Sequence, residues 1–223
     1  FDLNTFQFIK HDILQTCNVI WYHCFVSKSE NGQGQEMMKI NQEKIKQNFE
    51  MLLFCYRTGL SIEYDEDNNT FQFQKLFVCD DIAPFYQYAY VHVNDTILFF
   101  GGSNYPTISK SVHKYSIREI KWMKFKNSLP SPLRDCVAIL SEDNTYVHII
   151  GGENGNNTPM STHMKTKVSE WLSEEEMKKV IDFKLENEGD EEEEEEEYGE
   201  KEGEKDSSNE TAVATKKDVK VKY

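Results

Sequence analysis

The chain has 223 residues, enough for one domain of moderate size with an appended tail. Its formal net charge of −14 is unevenly spread: from Glu170 onward there are 21 acidic and 9 basic residues, which leaves 18 and 16 before that point. The body is therefore nearly neutral, which argues against the basic footprint of a nucleic-acid binder, and no apolar run is long enough for a membrane helix.

Phe1 to Phe8 reads as the end of a strand unit whose beginning is missing. Asn4-Thr5-Phe6-Gln7-Phe8 recurs letter for letter as Asn69-Thr70-Phe71-Gln72-Phe73, and both read as outer strands with alternating aromatics. The chain opens on Phe1 rather than Met, which points to a piece of a longer protein. Cys17 to Val26 is expected to be a long buried strand. Ser27 to Glu50 is polar, with a turn at Asn31 to Gly34 and a short amphipathic helix within Met37 to Phe49, carrying Met38, Ile45 and Phe49 on one side. Met51 to Cys55, Leu60 to Tyr64 and Thr70 to Val78 supply three more strands, separated by polar turns.

The next stretch is the most informative. Tyr88 to Val93 reads as a strand, Asn94-Asp95 as a turn, and Thr96 to Phe100 as a second, wholly apolar strand ending in Gly101-Gly102. Val112 to Ser116 and Lys121-Trp122-Met123 follow. The same order returns downstream: Val137 to Leu140, a turn at Glu142 to Asn144, Thr145 to Ile150, Gly151-Gly152, then Met164 and Trp171. The glycine pairs lie 50 residues apart and the tryptophans 49. A period near 50 with four short strands per unit is the signature of a propeller blade.

These residues resemble the kelch repeat: an apolar strand ending in Gly-Gly, then an aromatic, then Trp about seven residues on. The signature residues are Gly101, Gly102, Tyr115 and Trp122 in one copy, and Gly151, Gly152 and Trp171 in the next, where Met164 stands in the aromatic place. An earlier copy is degenerate: Cys55-Tyr56 replaces the glycine pair, but Tyr64 and Phe71 keep the offset of seven. Pro132-Leu133-Arg134-Asp135 resembles the Pro-Arg segment between kelch blades, while Pro84-Phe85-Tyr86, 48 residues before it, lacks the Arg. The resemblance implies an all-β fold: an arc of about three four-stranded antiparallel blades over residues 1–172, at about 17–78, 88–125 and 136–172. Residues 173–223 are expected to hold a short helix capped by Ser173, then a disordered tail containing the acidic run Asp190 to Glu197. Propellers close with about four to eight blades, so three would leave two apolar faces exposed. The expectation is a piece of a longer propeller; the alternative is a ring completed by another copy.

The chemistry of sites is sparse. There is no Gly-rich phosphate loop with a Lys, no HExxH and no GxSxG. His11, His23, His92, His113, His148 and His163 are scattered, with no spacing that suggests a metal. Cys17, Cys24, Cys55, Cys79 and Cys136 are odd in number and contain no CxxC, so they read as reduced, mostly buried thiols of an intracellular, cytoplasmic protein. No catalytic, cofactor-binding or metal-ligating residue is assigned. The expected function is a non-catalytic protein-interaction module, contacting a protein partner through the loops after the glycine pairs: Ser103, Asn104 and Tyr105, and Glu153, Asn154 and Asn156. One alternative is an enzyme with a sugar or small polar substrate at the propeller mouth, for which Asp80, Asp81 and Asp135 are the acids to inspect. Another is a tail that binds basic proteins. Neither nucleic acid nor membrane is an expected partner; self-association through exposed blade faces is.

Overall fold

The computed structural model describes residues 10–16, 18–28, 48–156, 158–161 and 163–181. The expected outer strand at residues 4–8, most of the expected helix before Phe49, Cys17 and the acidic run all lie outside these residues.

The described part is an antiparallel β protein of three stacked sheets. The first is a meander, β1 (Cys24–Lys28), β2 (Asn48–Cys55), β3 (Thr58–Asp65) and β4 (Thr70–Lys75), paired in that order. The second is built from β5 (Ala89–Val93), β6 (Thr96–Phe100), β9 (Ser111–Ser116) and β10 (Lys121–Ser128). A two-stranded hairpin, β7 (Ser103–Asn104) with β8 (Thr107–Ile108), rises between β6 and β9. The third sheet contains β11 (Val137–Leu140), β12 (Tyr146–Ile150) and β13 (His163–Lys167).

Stacking explains the apolar strands. Every residue of β6 is buried because sheets cover both of its faces. Towards the first sheet, Ile97, Phe99 and Tyr115 pack with Cys24, Val26, Leu52 and Phe54. Towards the third, Leu98, Phe100 and Val112 pack with Val147, Ile149 and Trp171. Two tryptophans close these interfaces. The Trp122 ring lies 5.1 Å from that of Phe54, and the Trp171 ring lies 5.9 Å from Phe100 and 5.1 Å from Phe125. The expected pairing at an offset of seven is real in the first two sheets: Phe71 faces Tyr64 and Trp122 faces Tyr115 across adjacent strands.

Four expectations change. The third sheet has three strands, not four, among the described residues. Where an outer strand was expected, Val168–Glu170 forms a 3-10 turn that delivers Trp171 onto the second sheet, with its indole donating to Thr166 Oγ1 at 3.0 Å. The aromatic is thus kept without the strand. The long strand from Cys17 reduces to β1 from Cys24, because the preceding segment crosses the outer face of the first sheet. There Leu14 and Ile20 pack on the cluster of Leu53, Cys55, Leu60 and Ile62, and Asn18 donates to Thr58 Oγ1 at 2.8 Å. Phe49 belongs to β2 rather than to a helix. The outer strand of the first sheet ends at Lys75 instead of Val78.

Residues 174–181 are helical, as the Ser173 cap predicts. Ser173 N donates to Glu176 Oε2 at 2.7 Å and Glu176 N donates back to Ser173 Oγ at 3.3 Å, a capping box. Val180 buries against the interface between the second and third sheets. Lys114 Nζ donates to both oxygens of Glu176 at 2.8 and 2.9 Å, tying the helix to β9. Burial alone raises the Glu176 carboxyl pKa, and the bonds from Lys114 and Ser173 outweigh it, leaving the pKa below its ordinary value.

Candidate functional site

The end of the stack where the glycine pairs lie gathers the polar and aromatic groups. Each sheet starts there with the same device: a residue at positive φ two places before the first strand. These residues are Tyr22 (φ 51), Gln87 (φ 59) and Asp135 (φ 54). A left-handed residue turns the chain sharply into the strand and aims its side chain across to the neighbouring sheet. Gln87 Nε2 donates to Asp135 Oδ2 at 2.9 Å, while Asp135 N donates to the Gln87 carbonyl at 2.9 Å. The Tyr22 and Tyr86 rings lie 6.5 Å apart.

The glycine pairs anchor this end. Gly101 (φ +71) and Gly102 (φ +103) let β6 leave the sheet close to neighbouring backbone; a Cβ on Gly101 would sit 2.2 Å from the Leu133 carbonyl oxygen. After each pair, one residue bridges back to the segment before the first strand: Ser103 to Tyr86 and Glu153 to Arg134. These bridges are the same element repeated. In the second sheet it is uncharged. In the third it is an ion pair, with Arg134 Nε and Nη2 donating to Glu153 Oε2 at 3.2 and 2.6 Å.

The loop residues fall into two groups. Asn104 and Tyr105 are exposed at the hairpin tip, Tyr105 by 80%, and Asn156 is exposed on the other loop. Ser103 is buried and its hydroxyl has no hydrogen-bond partner. Glu153 is held by Arg134. Asn154 organises its own loop, its Oδ1 accepting from Asn156 N at 2.9 Å and Thr158 N at 3.1 Å. Before β1, Trp21 is 67% exposed and Tyr22, whose ring lies near Tyr86, is also exposed. Sequence reasoning missed Trp21, Tyr22, Tyr86, Gln87 and Arg134. The signal was present: Tyr86 and Gln87 precede Arg134 and Asp135 by 48 residues, the spacing of Pro84 and Pro132.

Electrostatically the site is a small balanced network. Burial raises the Asp135 carboxyl pKa, and the neighbouring Arg134 guanidinium works against that rise. The hydrogen bond to Glu153 holds the Arg134 guanidinium in its charged form. The three acids singled out from the sequence do not converge. Asp81 pairs with Lys124 at 3.1 Å on the outer strand β10, and Asp80 is exposed, whereas Asp135 lies beside the inner strand β11. Burial pushes the Cys136 thiol up to about 11 and raises Cys24 and Cys55, so these thiols are protonated at neutral pH and are poor nucleophiles. Among the described residues no group of three or more His, Cys, Asp or Glu side chains is placed to hold a metal, and no helix is long and apolar enough to cross a membrane. At the opposite end, a cleft of about 240 Å³ runs between the Asn94 turn and the helix at 174–181, with Lys114, Arg118, Lys121 and Lys179 facing Asp95, Glu119, Glu175 and Glu176.

The class this structure defines is an antiparallel β protein of stacked sheets. No protein-family model matches the chain, and no curated protein does. Solved structures do match; one, a structure of YjhT, is 17% identical with a TM-score of 0.41, and the alignment covers 48% of this chain and 32% of that one.

Proposed function

We propose that the chain is a kelch-type propeller arc that works as a non-catalytic protein-interaction module, binding a protein partner at the glycine-pair end. Three exposed aromatics, Trp21, Tyr22 and Tyr105, support this reading most directly. Exposed aromatics on a rigid base supply large contact area at small entropic cost, which is why they dominate binding hot spots. The base is rigid because the hairpin carrying Tyr105 is pinned through Ser103: Tyr86 N donates to the Ser103 carbonyl at 3.0 Å and Ser103 N to the Tyr86 carbonyl at 2.7 Å. The repeat order of strands, glycine pairs and aromatics supports the kelch assignment, which carries with it the arc of blades.

The test is affinity enrichment with the full chain, followed by direct binding of each recovered protein to purified material. Replacing Asn104, Tyr105, Glu153, Asn154 and Asn156 by Ala, with Tyr22→Ala, should lower the affinity of a true partner at least about tenfold. Partners whose affinity is unchanged by these replacements would overturn the proposal.

A second reading, an enzyme for a sugar or small polar substrate, draws on Arg134, Asp135, Glu153 and Gln87 meeting at one end. Glu153 is committed to Arg134 in this arrangement, so a substrate would have to displace that ion pair. Turnover of no sugar or polar substrate, with Arg134→Ala also leaving partner binding intact, would remove this reading.

A further inference from the structure

Two concave sites on the molecule differ in how their charges are balanced. The cleft beside the helix at 174–181 neutralises itself: Lys114 holds Glu176, and the Arg118 guanidinium lies 3.7 Å from Glu175. The other pocket, of about 390 Å³, lies where the segment before β1 crosses the first sheet, against the β2–β3 turn and the end of β4. Arg57 and Lys75 line it, and no carboxylate does among the described residues.

The local fold brings these two cations together. Tyr56, at φ 50, and Arg57 form the tight turn that joins β2 to β3. Lys75 ends β4 and pairs with Leu60 near the start of β3, so the antiparallel ladder returns it to the end of the sheet where Arg57 stands. Both side chains are exposed, and neither forms an ion pair among the described residues. The Arg57 guanidinium instead lies over the Tyr56 ring, 5.6 Å from its centre.

The floor of the pocket adds neutral donors. Thr58 is 7% exposed. Asn18 Nδ2 donates to Thr58 Oγ1 at 2.8 Å, Asn18 N donates to Thr16 Oγ1 at 3.1 Å, and the two hydroxyl oxygens lie 3.2 Å apart. One hydroxyl hydrogen makes the bond between them. Whichever way that bond points, the second hydroxyl hydrogen has no acceptor among the described residues. A donor left unpaired away from water is costly, and an acceptor oxygen in the pocket would satisfy it.

Uncompensated cations beside a spare hydroxyl donor select an oxyanion. A phosphate monoester brings three acceptor oxygens and about −1.5 to −2 of charge, which matches two cations and a hydroxyl. A carboxylate offers two oxygens and a single charge. The volume falls at the low end of the about 300–1,000 Å³ of small-molecule pockets, leaving room for the alcohol part of the ester. We propose that this pocket binds a small phosphate monoester, with Arg57 and Lys75 on the phosphoryl oxygens and the Thr16–Thr58 hydroxyl pair donating to one of them. The proposal goes beyond the protein-partner reading and uses none of Trp21, Tyr22 or Tyr105.

The experiment is calorimetric titration of the full chain with glycerol phosphate, with glycerol as the neutral control. Glycerol phosphate should bind saturably, one per chain, and glycerol should not bind. Arg57→Gln and Lys75→Gln should each weaken binding at least about tenfold while circular dichroism stays that of the parent. Lys121→Gln, in the self-neutralised cleft, should leave the affinity unchanged, and so should Tyr105→Ala, which separates this site from the partner-binding loops. No saturable binding, an affinity indifferent to both Gln replacements at the pocket, or an equal loss in Lys121→Gln would overturn the proposal. A phosphoserine peptide that binds where glycerol phosphate does not would overturn the assignment to a small molecule.

Discussion

Phe100 and Ile150 occupy corresponding places, each the last strand residue before a glycine pair, yet Phe100 is fully buried and Ile150 is 46% exposed. The same contrast runs through both sheets. Val91 is buried where Ile139 is exposed, and the position of buried Leu98 becomes His148. His148 stacks on His163 with rings 4.9 Å apart, and the Lys165 ammonium sits 3.6 Å from the Tyr146 ring centre on that same outward face. The second sheet is an interior sheet with two covered faces. The third has one covered face, and its other face mixes apolar with polar and basic groups. Equivalent sequence positions therefore do different energetic work, and the neighbour, not the strand itself, sets how much each contributes.

The largest expected effect separates the two glycine pairs. Gly101→Ala meets the Leu133 carbonyl oxygen at 2.2 Å and should cost about 4 kcal/mol or more in urea unfolding. Gly151 has nearly the same φ, +70, but open space around it, so Gly151→Ala should cost only the left-handed penalty of about 1–2 kcal/mol. Equal costs would break the comparison. Phe100→Ala should cost about 3–5 kcal/mol at any chain concentration. Ile150→Ala should cost less than about 1.5 kcal/mol.

Much of this was readable from residue order. The glycine pairs, the turns at Asn94 and Asn144, both at φ 50, and the facing of Tyr64 with Phe71 follow from pattern. The third sheet was over-read because spacing encodes where an aromatic must arrive, not the backbone path that brings it; a 3-10 turn places Trp171 as well as a strand would. The hairpin β7–β8 has two residues per strand, too few for any alternation to show. The positive-φ positions Tyr22, Gln87 and Asp135 carry no glycine to mark them, so the 48-residue spacing of Gln87 and Asp135 was the signal the sequence held for this part of the site.

A smaller effect concerns His113, buried between the first and second sheets with Nε2 unpartnered. Burial and, next, Lys124 lower its pKa to about 4, with Asp81 opposing. The folded state thus prefers neutral imidazole more strongly than the unfolded chain does. Its contribution is complete above the unfolded value of about 6.5 and is lost as pH falls towards 4, about 3 kcal/mol in all. Unfolding free energies measured from pH 7 to 4 should show this slope, and His113→Leu should flatten it.

The smallest effect is the helix tie. Glu176→Ala removes the capping box and the partner of Lys114, and should cost about 1–2 kcal/mol. Unfolding of that variant should also lose part of the parent's salt dependence.

The most direct test of the contrast between the two sheets is hydrogen exchange followed by mass spectrometry on the full chain. Peptides covering β6 should exchange slowest, and peptides covering β13 should exchange faster. Equal protection of β6 and β13 would contradict the picture of one interior sheet beside one with a single covered face.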